Sequence, residues 1–207
     1  MSFGKYTLMI APVALMMTVP GSAQSSADKM DRVVAHMQSV STMTSSFTQT
    51  DRRGGTLTGK LLLKRPGQVR FEYQKDVPLL IVGDGKALTM VDYEVKQVQR
   101  WPIRNSPLAA LLDPGKDLRR YGKLVPTSTD EVISVEVRDP KRPEFGVITM
   151  VFVRQPGAPG GLTLNGWVAL DSKNNRTSVR LGNIKYNGPI ASSAFTWKDP
   201  RPVRRKS

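Results

Sequence analysis

The sequence predicts a mainly β protein of the α+β class: about ten short antiparallel strands curled into a partly closed barrel beneath an α-helical lid. Three observations predict it. From Phe47 onward the spacing of apolar residues changes from about 3.6 to 2, and the alternation recurs in run after run. Turn signals separate these runs, which joins them as one large antiparallel sheet. Only two segments keep helical spacing, and a sheet of that size curls and exposes a concave apolar face that something must cover.

The first helical segment carries one apolar stripe, Met30, Val33, Val34, Met37, Val40 and Met43. Asp28, Lys29, Asp31, Arg32 and Gln38 fall away from that stripe, and Ser25 or Ser26 can cap its start. A Met-rich stripe suits ordinary core packing, and equally a surface that covers ligands of varying shape. Strand runs follow: Leu57-Leu61-Leu63, Phe71-Tyr73, Ile133-Val135-Val137, Ile148-Met150-Phe152, and Leu162-Leu164-Val168-Leu170. The last is Val179-Leu181-Ile184-Tyr186, with Gly182 at a bulge. Gly54-Gly55, Pro66-Gly67, Asp84-Gly85, Asp139-Pro140, the stretch from Pro156 to Gly161, and Asn174-Asn175 mark the turns. In the middle, Pro107 to Leu112 reads as a short helix begun by Ser106 and ended by Asp113-Pro114-Gly115. A further turn runs through Lys116 to Arg120.

Lys5 is the only charge before Asp28; the apolar stretch from Tyr6 to Val19, Pro20 and then Gly21-Ser22-Ala23 follow it. That is the order of a secretory signal peptide, residues 1–23, cleaved after Ala23. The stretch is too short to span about 30 Å of hydrocarbon. There is no cysteine, hence no disulfide, no thiolate metal site and no lipidated cysteine. The net charge of +14 falls by the one charge on Lys5 to +13, and Arg201, Arg204, Arg205 and Lys206 carry four of these. In a secreted chain such a surface suits anionic headgroups, an acidic protein partner or plain solubility better than nucleic acid.

Catalytic constellations are missing. His36 is the single histidine and lies beside the helical stripe, so a triad and a histidine metal cluster are both excluded. Gly83-Asp84-Gly85-Lys86 lacks the phosphate-loop spacing and reads as a hairpin turn. Asp84, Asp92, Asp171 and Asp199 each fall at a turn or strand end, where turn formation explains them. A binder is the expectation, with no cofactor. Arg65 breaks the pattern: it shares one strand phase with Leu57, Gly59, Leu61 and Leu63 and so falls on the apolar face. It either snorkels to water at the strand end or ties a lid to the sheet through helix C-terminal carbonyls.

Phe47-x-Gln49, the run Gly59-x-Leu61-x-Leu63-Lys64-Arg65-Pro66-Gly67, Arg70-Phe71-x-Tyr73 and the stretch from Leu80 to Lys86 occur in this order. They are followed by Val91-Asp92, Pro107-Leu108 to Leu111-Leu112, Asp171, Thr177, Asn183 and Phe195-x-Trp197-x-x-Pro200. Together they make the chain resemble the LolA family of outer-membrane lipoprotein carriers over nearly its whole length beyond residue 23. Phe71 stands where many members have Trp, Asn174-Asn175 replaces the usual turn glycine, and the basic tail is not a general feature. The resemblance implies an unclosed antiparallel β-barrel of about ten to eleven strands under a helical lid. It implies a monomer in the periplasm, with a carrier domain over 24–200; in the basic tail over 201–207, Pro202 and the charge run after Pro200 oppose any regular element. Triacylated lipoproteins would be accepted from an inner-membrane ABC transporter of the Lol type and passed to an outer-membrane receptor of the LolB type. Arg65 would hold the lid closed. The acyl-chain cavity would be formed by Met37, Val40, Phe47, Leu61, Leu63, Phe71, Tyr73, Leu108, Leu111, Leu112, Ile148, Met150 and Phe152. A receptor or a lipoprotein-sensing regulator with the same fold is the alternative; the first normally carries a lipidated cysteine and the second an added domain.

Overall fold

In the computed structural model, which describes residues 26–105, 108–112 and 114–202, eleven strands form one antiparallel sheet. They are β1 (Thr42–Thr50), β2 (Thr56–Lys64), β3 (Gln68–Tyr73), β4 (Leu79–Asp84), β5 (Ala87–Asp92) and β6 (Gln97–Pro102). After the helical segment come β7 (Gly122–Val125), β8 (Val132–Val137), β9 (Val147–Arg154), β10 (Leu162–Leu170) and β11 (Arg176–Tyr186). Helix α1 (Ser26–Ser39) precedes the sheet, and α2 (Ala109–Leu112) and α3 (Pro114–Tyr121) interrupt it. The expected signal peptide and residues 203–207 of the expected tail lie outside the described residues, as do Ser106, Pro107 and Asp113.

The strand order is β6-β5-β4-β3-β2-β1-β11-β10-β9-β8-β7. The two edge strands are thus consecutive in the chain. The barrel stays unclosed between them, and the segment holding α2 and α3 is what joins one edge to the other. Its buried side chains, Ala110, Leu111, Leu112 and Leu118, enter the same core as Val33, Val34 and Met37 of α1 and the inner face of the sheet.

Three sequence expectations change. The helical spacing of the first apolar stripe continues through Val40 and Met43, but α1 ends at Ser39, Val40 lies in the link and Met43 in β1. Asn187 enforces the break. Its Nδ2 donates to the Ser39 carbonyl (3.0 Å) and its Oδ1 accepts from the Ser41 N–H (2.8 Å). Both apolar residues remain buried all the same. Helix α2 ends at Leu112 as expected, but the second turn expected over Lys116 to Arg120 is a longer helix that already opens at Pro114, which suits its fixed φ and missing donor. In β10 a bulge between Leu164 and Gly166 shifts the phase, so Trp167 and Ala169 face inward where Val168 and Leu170 were expected. The bulge expected near Gly182 is present, opposite the step from Thr44 to Ser46.

The turn carboxylates behave as read. Asp84 Oδ1 accepts from the N–H groups of Lys86 and Ala87 (both 2.8 Å), and Asp171 Oδ1 from those of Lys173 and Asn175 (both 2.8 Å). Asn174 takes the left-handed conformation there, φ 58°, in place of glycine.

A second, smaller core lies outside the sheet. Leu80, Val82 and Val91 pack against Phe195, with Ile190, Ala194 and Trp197 around them. Lys64 Nζ donates to the Ile190 carbonyl (3.1 Å) and Arg70 Nη1 to that of Thr196 (3.1 Å), which holds this C-terminal segment on the outer face. Strand β4 is therefore covered on both sides, which accounts for its continuous run Leu79-Leu80-Ile81-Val82.

Gly59 gives the sheet its sharpest packing demand. A Cβ there would meet the Glu72 carbonyl oxygen and lie 2.7 Å from the Phe47 ring. Gly59→Ala is expected to lower the unfolding free energy by about 2 kcal/mol. Urea denaturation followed by circular dichroism measures it, and an unchanged midpoint would contradict the packing described.

Candidate functional site

The site is the part of the barrel interior that the helices leave unfilled. A cleft of about 510 Å³ opens between β3–β6 on one side and β10–β11 on the other. Phe71, Tyr73, Leu79, Ile81, Met90 and Trp101 form the first wall; Trp167, Ala169, Thr177 and Val179 form the second. Leu108 and Phe145 close over it from the loops, and Gln49, Glu144, Asp171, Ser172 and Asn175 supply its polar rim.

Aromatic rings shape this interior. Phe47 stands edge-on to Phe71 (5.5 Å between centroids) and to Tyr73 (5.3 Å), and Phe71 faces Trp167 at 6.2 Å. Such T-shaped pairs keep the rings in fixed orientations. Gly59 permits the arrangement by leaving room for the Phe47 ring. The Tyr73 hydroxyl donates to Gln49 Oε1 (2.9 Å), so its one polar atom is satisfied at the rim. Burial pushes the Tyr73 phenol up to about 12.

Of the thirteen residues expected to form an acyl-chain cavity, Phe71, Tyr73 and Leu108 line the cleft. The other ten, Met37, Val40, Phe47, Leu61, Leu63, Leu111, Leu112, Ile148, Met150 and Phe152, are packed at 2 % exposure or less in the main core. Sequence reasoning missed Leu79, Ile81, Met90, Trp101, Trp167, Ala169, Val179 and Phe145. The unbroken apolar run of β4 could have indicated Leu79 and Ile81; Phe145 comes from a short 3-10 turn with no periodic signal.

Arg65 lies on the inner side, as its strand phase required. Its Nη2 is 3.6 Å from Met37 Sδ on α1. Two residues on, the Gly67 N–H donates to the carbonyl of Leu112, the last residue of α2 (3.2 Å). The Arg65 N–H donates to Ser41 O (2.9 Å), just after α1. The turn from β2 to β3 thus touches both helical segments. Two ion pairs add to the attachment of α1, Lys29–Asp130 (2.7 Å) and Arg119–Asp31 (2.6 Å). Both involve exposed partners and contribute little to stability. His36 is buried, its Nδ1 2.7 Å from the Pro159 carbonyl.

An open antiparallel barrel with a helical cover and an aromatic-lined apolar cleft defines a class of binding protein for apolar ligands. The comparisons specify which. The chain belongs to the family described as outer membrane lipoprotein carrier protein LolA, whose model matches residues 38–198. An outer-membrane lipoprotein carrier protein of Chromobacterium violaceum is 28 % identical over 204 residues, covering 94 % of each chain. One of Neisseria meningitidis serogroup B is 29 % identical over 188 residues, 87 % of this chain and 88 % of its own. Among solved structures, an uncharacterized conserved protein from Thermus thermophilus shares the fold. Its TM-score is 0.50 at 16 % identity, covering 88 % of this chain and all of that one.

Two outcomes test this geometry. Ala169→Trp is expected to fill the cleft and weaken binding of a fluorescent fatty-acid probe by about tenfold, or about 1.4 kcal/mol, with the β signal in circular dichroism unchanged. In an ultraviolet titration, the Tyr73 phenol is expected to stay protonated until about pH 12. Tyr73→Phe should remove that step.

Proposed function

We propose that this chain is a periplasmic chaperone that shields the acyl chains of lipoproteins in its barrel. It would accept triacylated lipoproteins from an inner-membrane ABC transporter of the Lol type and give them up to a receptor of the LolB type at the outer membrane. The protein acts as a monomer, by binding and without catalysis. The observation that carries this reading is the apolar cleft left open beside the helical cover in a chain of this family.

Size then dictates the mechanism. A cleft of about 510 Å³ is in the range that holds one drug-sized ligand, about 300–1,000 Å³. Three long acyl chains need more, and the added space must come from the packed residues under the helices. The helices are therefore a lid that lifts. Met37, Leu111 and Leu112 would leave the core with the lid, and Phe47, Leu61, Leu63, Ile148, Met150 and Phe152 would then line the widened cavity with Val40 at its edge. Arg65, set between α1 and the sheet, is the latch of the closed state.

Energy for extraction comes from elsewhere. At about 0.8 kcal/mol per methylene, pulling one long acyl chain from a bilayer costs on the order of 10 kcal/mol. The transporter supplies that, and the carrier has only to keep the chains dry and yield them to a better binder.

Spheroplasts incubated with the purified protein test the reading. ATP-dependent appearance of a soluble one-to-one complex with an acylated lipoprotein is expected; a folded protein that releases none contradicts it. Arg65→Leu should slow onward transfer to outer membranes by about tenfold or more, the scale of one hydrogen bond to a charged group at about 1.5–3 kcal/mol. Normal transfer by that variant would remove Arg65 from the latch.

A further inference from the structure

His36 is the single histidine of the chain, and it sits where α1 meets the barrel. Its ring is 2 % exposed and stands edge-on to Phe152 (5.6 Å) and Tyr186 (5.5 Å). With Nδ1 2.7 Å from the Pro159 carbonyl, the neutral ring carries its hydrogen on Nδ1 and donates it there. The neighbouring Gly160 presses on the helix backbone, since a Cβ at that position would lie 2.8 Å from His36 N. A side chain at Gly160 would not fit against α1, so this contact is the seat of the helix.

Among the described residues, the Arg65 charge acts on this seat. The Arg65 guanidinium, held against Met37 on the adjoining residue of α1, acts on the imidazole and opposes its protonation. Arg32, one turn earlier on α1, reaches toward Gly161. From the sheet the ring meets Phe152 of β9 and the Tyr186 phenol of β11. The hydroxyl of that phenol is engaged with Thr163 Oγ1 (2.9 Å) and the Leu164 N–H (3.1 Å). Burial holds the imidazole below its ordinary 6.5; the Pro159 hydrogen bond opposes that shift, and the Arg65 charge adds to it.

We propose that His36 is a protonation-operated catch on the lid: in mildly acidic solution the ring gains a proton, α1 leaves its seat on the Pro159–Gly161 loop, and the cavity opens. The proposal rests on the lid reading given above and adds a regulator to it. A second positive charge in a dry site beside Arg65 is costly, and lifting α1 returns both groups to water. The sign follows from linkage. The closed state binds this proton more weakly than the open one. Its advantage is complete above the ordinary imidazole value of about 6.5 and is lost as the pH falls below it. One proton allows the open population to grow by at most about tenfold per pH unit.

The absence of cysteine makes the test clean. Spin labels at Gln38→Cys, on the exposed side of α1, and at Thr48→Cys, on the outer face of β1, report the lid distance in the purified protein without cargo. The single imidazole is followed in the same samples by nuclear magnetic resonance. Between about pH 8 and about pH 5 the distance is expected to lengthen with the midpoint of the His36 titration. His36→Gln, which keeps a donor for Pro159 O but no titrating group, should flatten the response. A ring that titrates while the distance stays constant overturns the proposal, as does a distance change that His36→Gln leaves intact. Should the variant not fold, unequal midpoints in the parent protein overturn it equally. No lipoprotein is used, so a failed cargo assay and a flat distance curve are separate results.

Discussion

The constraint on which the rest depends is topological: the two open edges of the sheet, β6 and β7, are neighbours in sequence. A chain leaving one edge must cross the gap in the barrel to reach the other. It does so as α2 and α3, with an apolar side that the concave face can bury. The gap and its cover are thus one feature. A closed barrel would have no free edges, and a ligand could enter it only through an end. Here the edges remain, and the covering helices are held by side-chain packing and a few hydrogen bonds and not by strand pairing.

That difference in attachment separates the strands of the body from the helices that cover them. The strands carry continuous ladders from β6 round to β7. The helices are fixed by local contacts: His36 to Pro159, the N–H of Gly67 to Leu112, Asn187 to the turn after α1, Arg65 to Met37, and two exposed ion pairs. The outer face is treated in the opposite manner. Where β4 and β5 present Leu80, Val82 and Val91 outward, the C-terminal segment covers them with Phe195 and Trp197 and is tied by Lys64 and Arg70. Adjacent residues of one strand end divide the work, Lys64 gripping the outer cover and Arg65 contacting the inner one.

Much of this was legible because the signals were local. Alternation in β2, β8 and β9, the carboxylate turns at Asp84 and Asp171, the left-handed Asn174 and the inward phase of Arg65 each need only neighbours in sequence. What failed depended on distant residues. Met43 continues the helical spacing by coincidence, and Asn187, far along the chain, holds the turn that follows α1 before it. The bulge at Gly166 exchanges Val168 and Leu170 for Trp167 and Ala169 on the inner face, and alternation alone cannot show such a shift. The open cleft was the least legible part. Apolar residues that line a space and apolar residues that fill one have the same pattern, so Ile81 and Trp101 could not be told from Leu63 and Phe152.

The central claim is that acyl chains enter the barrel and do not lie on its outside. Photo-crosslinking tests it most directly, with a benzophenone amino acid placed at Ile81 in the cleft or at Thr48 on the exposed outer face of β1. After loading with a lipoprotein that bears radiolabelled acyl chains, the account predicts label on the protein from Ile81 and none from Thr48. Equal labelling at both positions, or labelling at Thr48 alone, would contradict it.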